Sequence, residues 1–81
     1  MTIAITARYF AVFRERAGCE CEPVETSAQT AAQLYDEIAS RHGFADQRDR
    51  CKVAINGALA SWESSLTQGD EILFFPPVAG G

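Results

Sequence analysis

TAAQLYDEIASRHG, residues 30–43, is the stretch of this chain with a convincing helical reading, and its flanks read as strands and turns. Ala31, Leu34, Tyr35 and Ile38 recur at i, i+3, i+4 and i+7, which makes one apolar stripe on a helix. Thr30 stands just before that stripe and Gln33 three residues later, the spacing of a capping box. Thr26 and Gln29 share the spacing, but the apolar period begins only at Ala31, so Thr30 is the predicted N-cap. Arg41 and His42 set positive charge against the negative helix end, and Gly43 offers the left-handed residue that closes it.

Upstream of the helix, Ile3, Ile5, Ala7 and Tyr9 alternate with Thr2, Ala4, Thr6, Arg8 and Phe10, the period of a strand with one buried face. The charged segment 13–18 ends in glycine and reads as a turn into a second strand over residues 19–25. Two strands so close in sequence predict an antiparallel hairpin. Downstream, Cys51, Val53 and Ile55 alternate with Lys52, Ala54 and Asn56, and Asn56-Gly57 is a strong hairpin signal before a short return strand at 58–60. Residues 62–66 read as a helical turn or loop, Gly69-Asp70 as a turn, and residues 71–75 as a last strand of strong β-formers. Pro76-Pro77 ends it, because neither proline donates to a ladder. One main helix on one face of a mixed sheet is an α+β arrangement, compatible with the β-grasp or ubiquitin-like fold. The expected organisation is a domain over residues 1–75 and an extended, flexible C-terminal tail over 76–81.

Composition narrows the function classes. With 81 residues the chain makes one small domain, and 47% apolar residues suffice for a globular core. Seven basic residues against eleven acidic give a formal charge of -4 and no basic stripe, so nucleic acid is not an expected partner. No leader pattern and no apolar run of membrane-spanning length is present, so a cytoplasmic protein with no membrane partner is expected. Cys19, Cys21 and Cys51 form an odd set without a CxxC pair, and with His42 they make a poor zinc set; no metal site is expected. They read as buried small apolar residues. One histidine, no paired carboxylates and no phosphate-cradling glycine loop predict a protein that is not an enzyme on its own.

The tail is Pro76, Pro77, Val78, Ala79, Gly80 and Gly81, able to reach on the order of 20 Å. Prolines stiffen its root, and two glycines without Cβ atoms make a thin tip able to enter a narrow slot. Chain ends are often rich in small residues, so Gly80-Gly81 alone says little. The continuous run GDEILFFPPVAGG, residues 69–81, says more: it resembles the C-terminal signature of the small, sulfur-carrying subunits of molybdopterin synthase, the MoaD family. Tyr9-Phe10-Ala11 with Arg14-Glu15, the start of the helix at Thr30 to Leu34, and Val53-Ala54-Ile55-Asn56-Gly57 are similar to that family as well. The likeness spans nearly the whole chain, with the last thirteen residues the most specific part.

That resemblance implies a cycle. An E1-like adenylyltransferase uses ATP to adenylate the carboxylate of Gly81, and sulfur from a sulfurtransferase donor then replaces AMP to leave a thiocarboxylate. The tail enters the large synthase subunit, in a heterotetramer of two small and two large subunits, and its sulfur goes to cyclic pyranopterin monophosphate to build the molybdopterin dithiolene. Catalytic groups belong to the partners, and no cofactor is bound permanently; the acyl-AMP is transient. Gly81 is thus the reactive site and Gly80, Ala79, Val78, Pro77 and Pro76 its stalk. Sulfur carriers for thiazole synthesis or tRNA thiolation, ubiquitin-like modifiers, and a plain interaction domain whose tail is never activated are the alternatives; Phe74-Phe75-Pro76-Pro77 favours the molybdopterin branch.

Alternation sends Phe10 and Phe75 to the face away from the helix, and Leu59 joins them past the hairpin turn. Together they predict a partner interface beside the tail root, against the plainer reading that they cap the sheet edge. Arg14 and Glu15 are secondary interface candidates, since a charged pair in a turn is usually just solvated. Lys52 reads as a solubilising strand lysine and Trp62 as core or rim packing.

Overall fold

The computed structural model describes residues 1–77. Its elements in chain order are β1 (Ile3–Tyr9), α1 (Val12–Ala17), β2 (Cys21–Thr26), α2 (Ala31–His42), a 3-10 turn (Arg48–Arg50), β3 (Lys52–Ile55), β4 (Ala58–Ala60) and β5 (Glu71–Phe75). The five strands form one sheet in the order β2-β1-β5-β3-β4. β1 and β5 run parallel at its centre, and the β1–β2, β3–β4 and β3–β5 pairs are antiparallel. With α2 packed on one face, this is the expected α+β, β-grasp architecture.

The helix behaves as its sequence dictates. The Thr30 hydroxyl accepts a hydrogen bond from the Gln33 N–H at 3.3 Å, and Gly43 at φ 74° closes the other end with its N–H on the Ala39 carbonyl. Gln33 reaches back one residue further than a capping box requires, taking the Gln29 N–H at 2.7 Å. Ala31, Leu34, Tyr35 and Ile38 are all buried, against Ile5, Ala7, Tyr9, Val24, Val53, Ile72 and Phe74 of the sheet. Trp62 packs at the rim, 5.4 Å from Tyr35 and stacked 6.3 Å from Phe74 between ring centroids.

Two parts of the first hairpin differ from expectation. Residues 13–18 are not a turn: Val12–Ala17 is a six-residue helix closed by Gly18 at φ 79°. The cause is Phe13, which is fully buried and stacks on Phe44 at 4.3 Å, so the segment winds to deliver one ring to the core. The second strand begins at Cys21, and this changes the cysteines. Only Cys51 is buried as expected; Cys19 is half-buried and Cys21 is exposed, because alternation turns it to the helix-free face of an edge strand.

A polar clasp ties the edge strand β2 to the end of α2. Glu22 accepts the Tyr9 hydroxyl at 2.5 Å and lies 2.6 Å from His42 Nε2, twenty residues away in sequence. Burial acts to raise the Glu22 carboxyl, but the Tyr9 and His42 hydrogen bonds and the His42 and Arg41 charges outweigh it and hold the group below the usual carboxylate range. A carboxyl depressed by folding stabilises the protein above its unfolded value of about 4.3, and that stability vanishes as pH falls through the lower folded value. Glu22→Gln is therefore expected to cost about 1–2 kcal/mol at pH 7 and progressively less below pH ~4. Urea unfolding of both proteins from pH 7 to 3 checks this; a constant difference across the range would remove the charge from the account.

Candidate docking face and tail root

Strand alternation and register together build the face opposite α2. One cross-sheet row runs Leu59, Ala54, Leu73, Arg8, Cys21, through the pairs Leu59 with Ala54, Ala54 with Leu73, Leu73 with Arg8, and Arg8 with Cys21. In the next row Lys52 lies opposite Phe75. Phe10, just past β1, sets its ring 5.6 Å from that of Phe75. Phe10 is 56% exposed and Leu59 75%, which with Met1 are the large exposed apolar side chains of the described residues. Phe75, Pro76 and Pro77 are half-buried, so the tail root leaves the sheet beside the aromatic pair.

Thus Phe10, Leu59 and Phe75, spread over 65 residues from Phe10 to Phe75, lie on one face as expected. Leu73 and Ala54 form its floor and were not among the expected residues, although the same period-2 pattern places Leu73 with Phe75. Arg8 edges the patch, 3.4 Å from Glu71 and 3.9 Å from Glu20. Lys52 is exposed at the other edge. Arg14 and Glu15 are exposed on α1, not in a hairpin turn. Val78, Ala79, Gly80 and Gly81 lie outside the described residues.

The chemistry available within the fold is slight. Cys51 has its thiol pushed up by burial and by Asp46 and Asp49, against the opposing hydrogen bond with Tyr35, which favours the protonated, poorly nucleophilic form. On the helix side an open groove of about 800 Å³ lies between α2 and residues 46–49, and its Asp36 carboxylate is already held by Arg48 at 3.0 Å. Neither compares with the outer face in joining exposed apolar side chains to the tail root.

Comparisons with known proteins agree with this geometry. The ThiS family model matches residues 7–81. The molybdopterin synthase sulfur carrier subunit of Escherichia coli is 35% identical over 80 residues, covering 95% of this chain and 99% of that protein. Among solved structures, SAMP1 from Haloferax volcanii has a TM-score of 0.76 at 26% identity, covering 96% of this chain and 99% of its own. A protein-protein complex of subunits 1 and 2 of the molybdopterin-converting factor from Helicobacter pylori contains a chain with a TM-score of 0.64 at 25% identity, covering 98% of this chain and all of its own (100%). With a match that begins at Ala7, within β1, and runs on through Gly81, the chain belongs to the ThiS family.

Proposed function

We propose that this chain is the sulfur carrier subunit of molybdopterin synthase, and that its reactive group is the carboxylate of Gly81. The observation that carries the reading is the junction of an outer-face aromatic pair, the exposed Phe10 and the half-buried Phe75, with the root of a tail included in the family match. Identity to the Escherichia coli carrier over nearly all of both chains supports the molybdopterin branch over the other sulfur carriers.

A carboxylate acylates poorly. An E1-like enzyme that joins the Gly81 carboxylate to the α-phosphate of ATP, releasing pyrophosphate, creates a mixed anhydride with AMP as a good leaving group. Sulfide-level sulfur then attacks the carbonyl carbon and expels AMP, leaving a thiocarboxylate; where a sulfurtransferase persulfide attacks instead, a thiol reduces the resulting acyl disulfide to release it. Each loaded tail enters the large subunit and gives its one sulfur to cyclic pyranopterin monophosphate, leaving the Gly81 carboxylate, so two carriers act to build the dithiolene, with the large subunit supplying the catalytic groups. The Helicobacter pylori two-subunit complex supports a large-subunit partner, in a proposed heterotetramer of two and two.

The outer face supplies the affinity. Phe75→Ala is expected to weaken large-subunit binding at least tenfold while lowering unfolding free energy by less than about 1 kcal/mol, as for a partner-facing anchor. Calorimetric titration beside urea unfolding measures both. A large loss of stability with unchanged affinity would make Phe75 a core residue instead. The carrier chemistry itself is tested by intact mass spectrometry after incubation with ATP, sulfide and the activating enzyme, where exchange of one oxygen for sulfur adds about 16 Da. An unchanged mass with a demonstrably active enzyme rejects the reading.

A further inference from the structure

Between the two faces of the sheet the chain makes one turn that its sequence does not favour. The Phe10 carbonyl accepts the Phe13 N–H at 3.1 Å, closing a four-residue turn whose second residue, Ala11, sits at φ 54° and ψ -125°. Those angles belong to the first central position of a type II′ turn, which glycine normally fills because a Cβ there crowds the backbone. The described residues hold one other non-glycine at positive φ, Asn56 at 52°, and it sits in the Asn-Gly hairpin turn that asks for such angles. Ala11 has no local preference to explain it, so the strain persists only because its surroundings hold it.

Its surroundings are two rings on opposite faces. Phe13 is fully buried and stacked on Phe44, whereas Phe10 is 56% exposed and beside Phe75. The turn at Ala11 is what reverses the chain after Phe10 and returns Phe13 beneath the sheet. Ala11 is itself exposed, so substitutions there act through the backbone and not through packing. Resting on the docking reading above, we propose that Ala11 is a positioning residue for partner binding: its positive-φ backbone, anchored by Phe13 in the core, holds the Phe10 ring against Phe75 in the orientation the large subunit recognises.

Residue tolerance of positive φ then orders the effects. Glycine adopts these angles freely and asparagine is among the residues favoured at the positive-φ positions of such turns, while a β-branched residue resists them. Full-length Ala11→Gly, Ala11→Asn and Ala11→Val proteins, each alone and combined with Phe10→Ala, would be titrated with the large subunit and melted. Ala11→Gly should raise the unfolding midpoint by roughly 4 °C and keep the affinity within twofold of wild type, with Ala11→Asn retaining affinity too. Ala11→Val should lose about tenfold or more in affinity, but less than about twofold once Phe10 is already alanine, because the two residues act as one unit. Equal losses from Ala11→Val in both backgrounds would make Ala11 merely structural and overturn the proposal. So would a glycine variant that melts lower or docks worse, an arm that decides the matter even if the valine variant does not fold. Should Phe10→Ala alone leave affinity unchanged, the docking reading fails first, and that result is separate from either failure at Ala11.

Discussion

Adding one alanine after Gly81, or deleting Gly81, is expected to abolish the 16 Da gain completely while leaving unfolding free energy within about 0.5 kcal/mol of wild type. The two variants fail for different reasons. Deletion shortens the stalk by one residue, roughly 3.3 Å, which withdraws the carboxylate from a site built to meet it. Extension keeps the reach but puts a Cβ on the residue that must be activated, at a tip whose slimness comes from two glycines. Large-subunit binding through Phe10 and Phe75 should survive in both, so titration separates loss of chemistry from loss of docking. A plain interaction module would tolerate either change, and full sulfur transfer by the deletion variant would end the carrier reading.

Phe13→Ala should cost about 3–5 kcal/mol, a large part of the 5–15 kcal/mol typical of a small domain. The ring is wholly buried, and Phe44 is half of a stacked pair with it, so its removal leaves a cavity that Tyr35 and Phe44 can only partly fill. It also releases the anchor on the far side of the strained Ala11 turn. Urea unfolding measures the loss. A decrement below about 0.5 kcal/mol, appropriate to a residue in a solvated turn, would restore the first expectation for residues 13–18.

α2 was legible to the residue because four apolar positions repeat over two turns between recognisable caps, and the β3–β4 hairpin because Asn56-Gly57 names its own turn. α1 has six residues, three of them Arg14, Glu15 and Arg16, and a single fully buried side chain, too little for a period to show. Phe44 stands alone in a polar connection and gives no hint that it meets Phe13. The outer face was readable from alternation at Phe10 and Phe75, since each neighbours a residue of the opposite face. His42 was readable as a helix-end charge, but its pairing with Glu22 depends on how β2 lies against α2, which no local pattern encodes. The parallel pairing of β1 with β5 likewise comes from topology, which element order alone left at a mixed sheet.

That central pair carries a consequence for the order of events in the cell. β1 is made first and β5 last, yet they lie side by side at the middle of the sheet. While a ribosome is still translating the residues between them, β1 has β2 on one edge and nothing to pair with on the other. Only when β5 emerges can the sheet close, and the same event brings Phe75 beside Phe10. On the proposed function, a nascent chain would offer an activating enzyme neither a finished docking face nor a tail to load, and loading would begin with an already folded carrier.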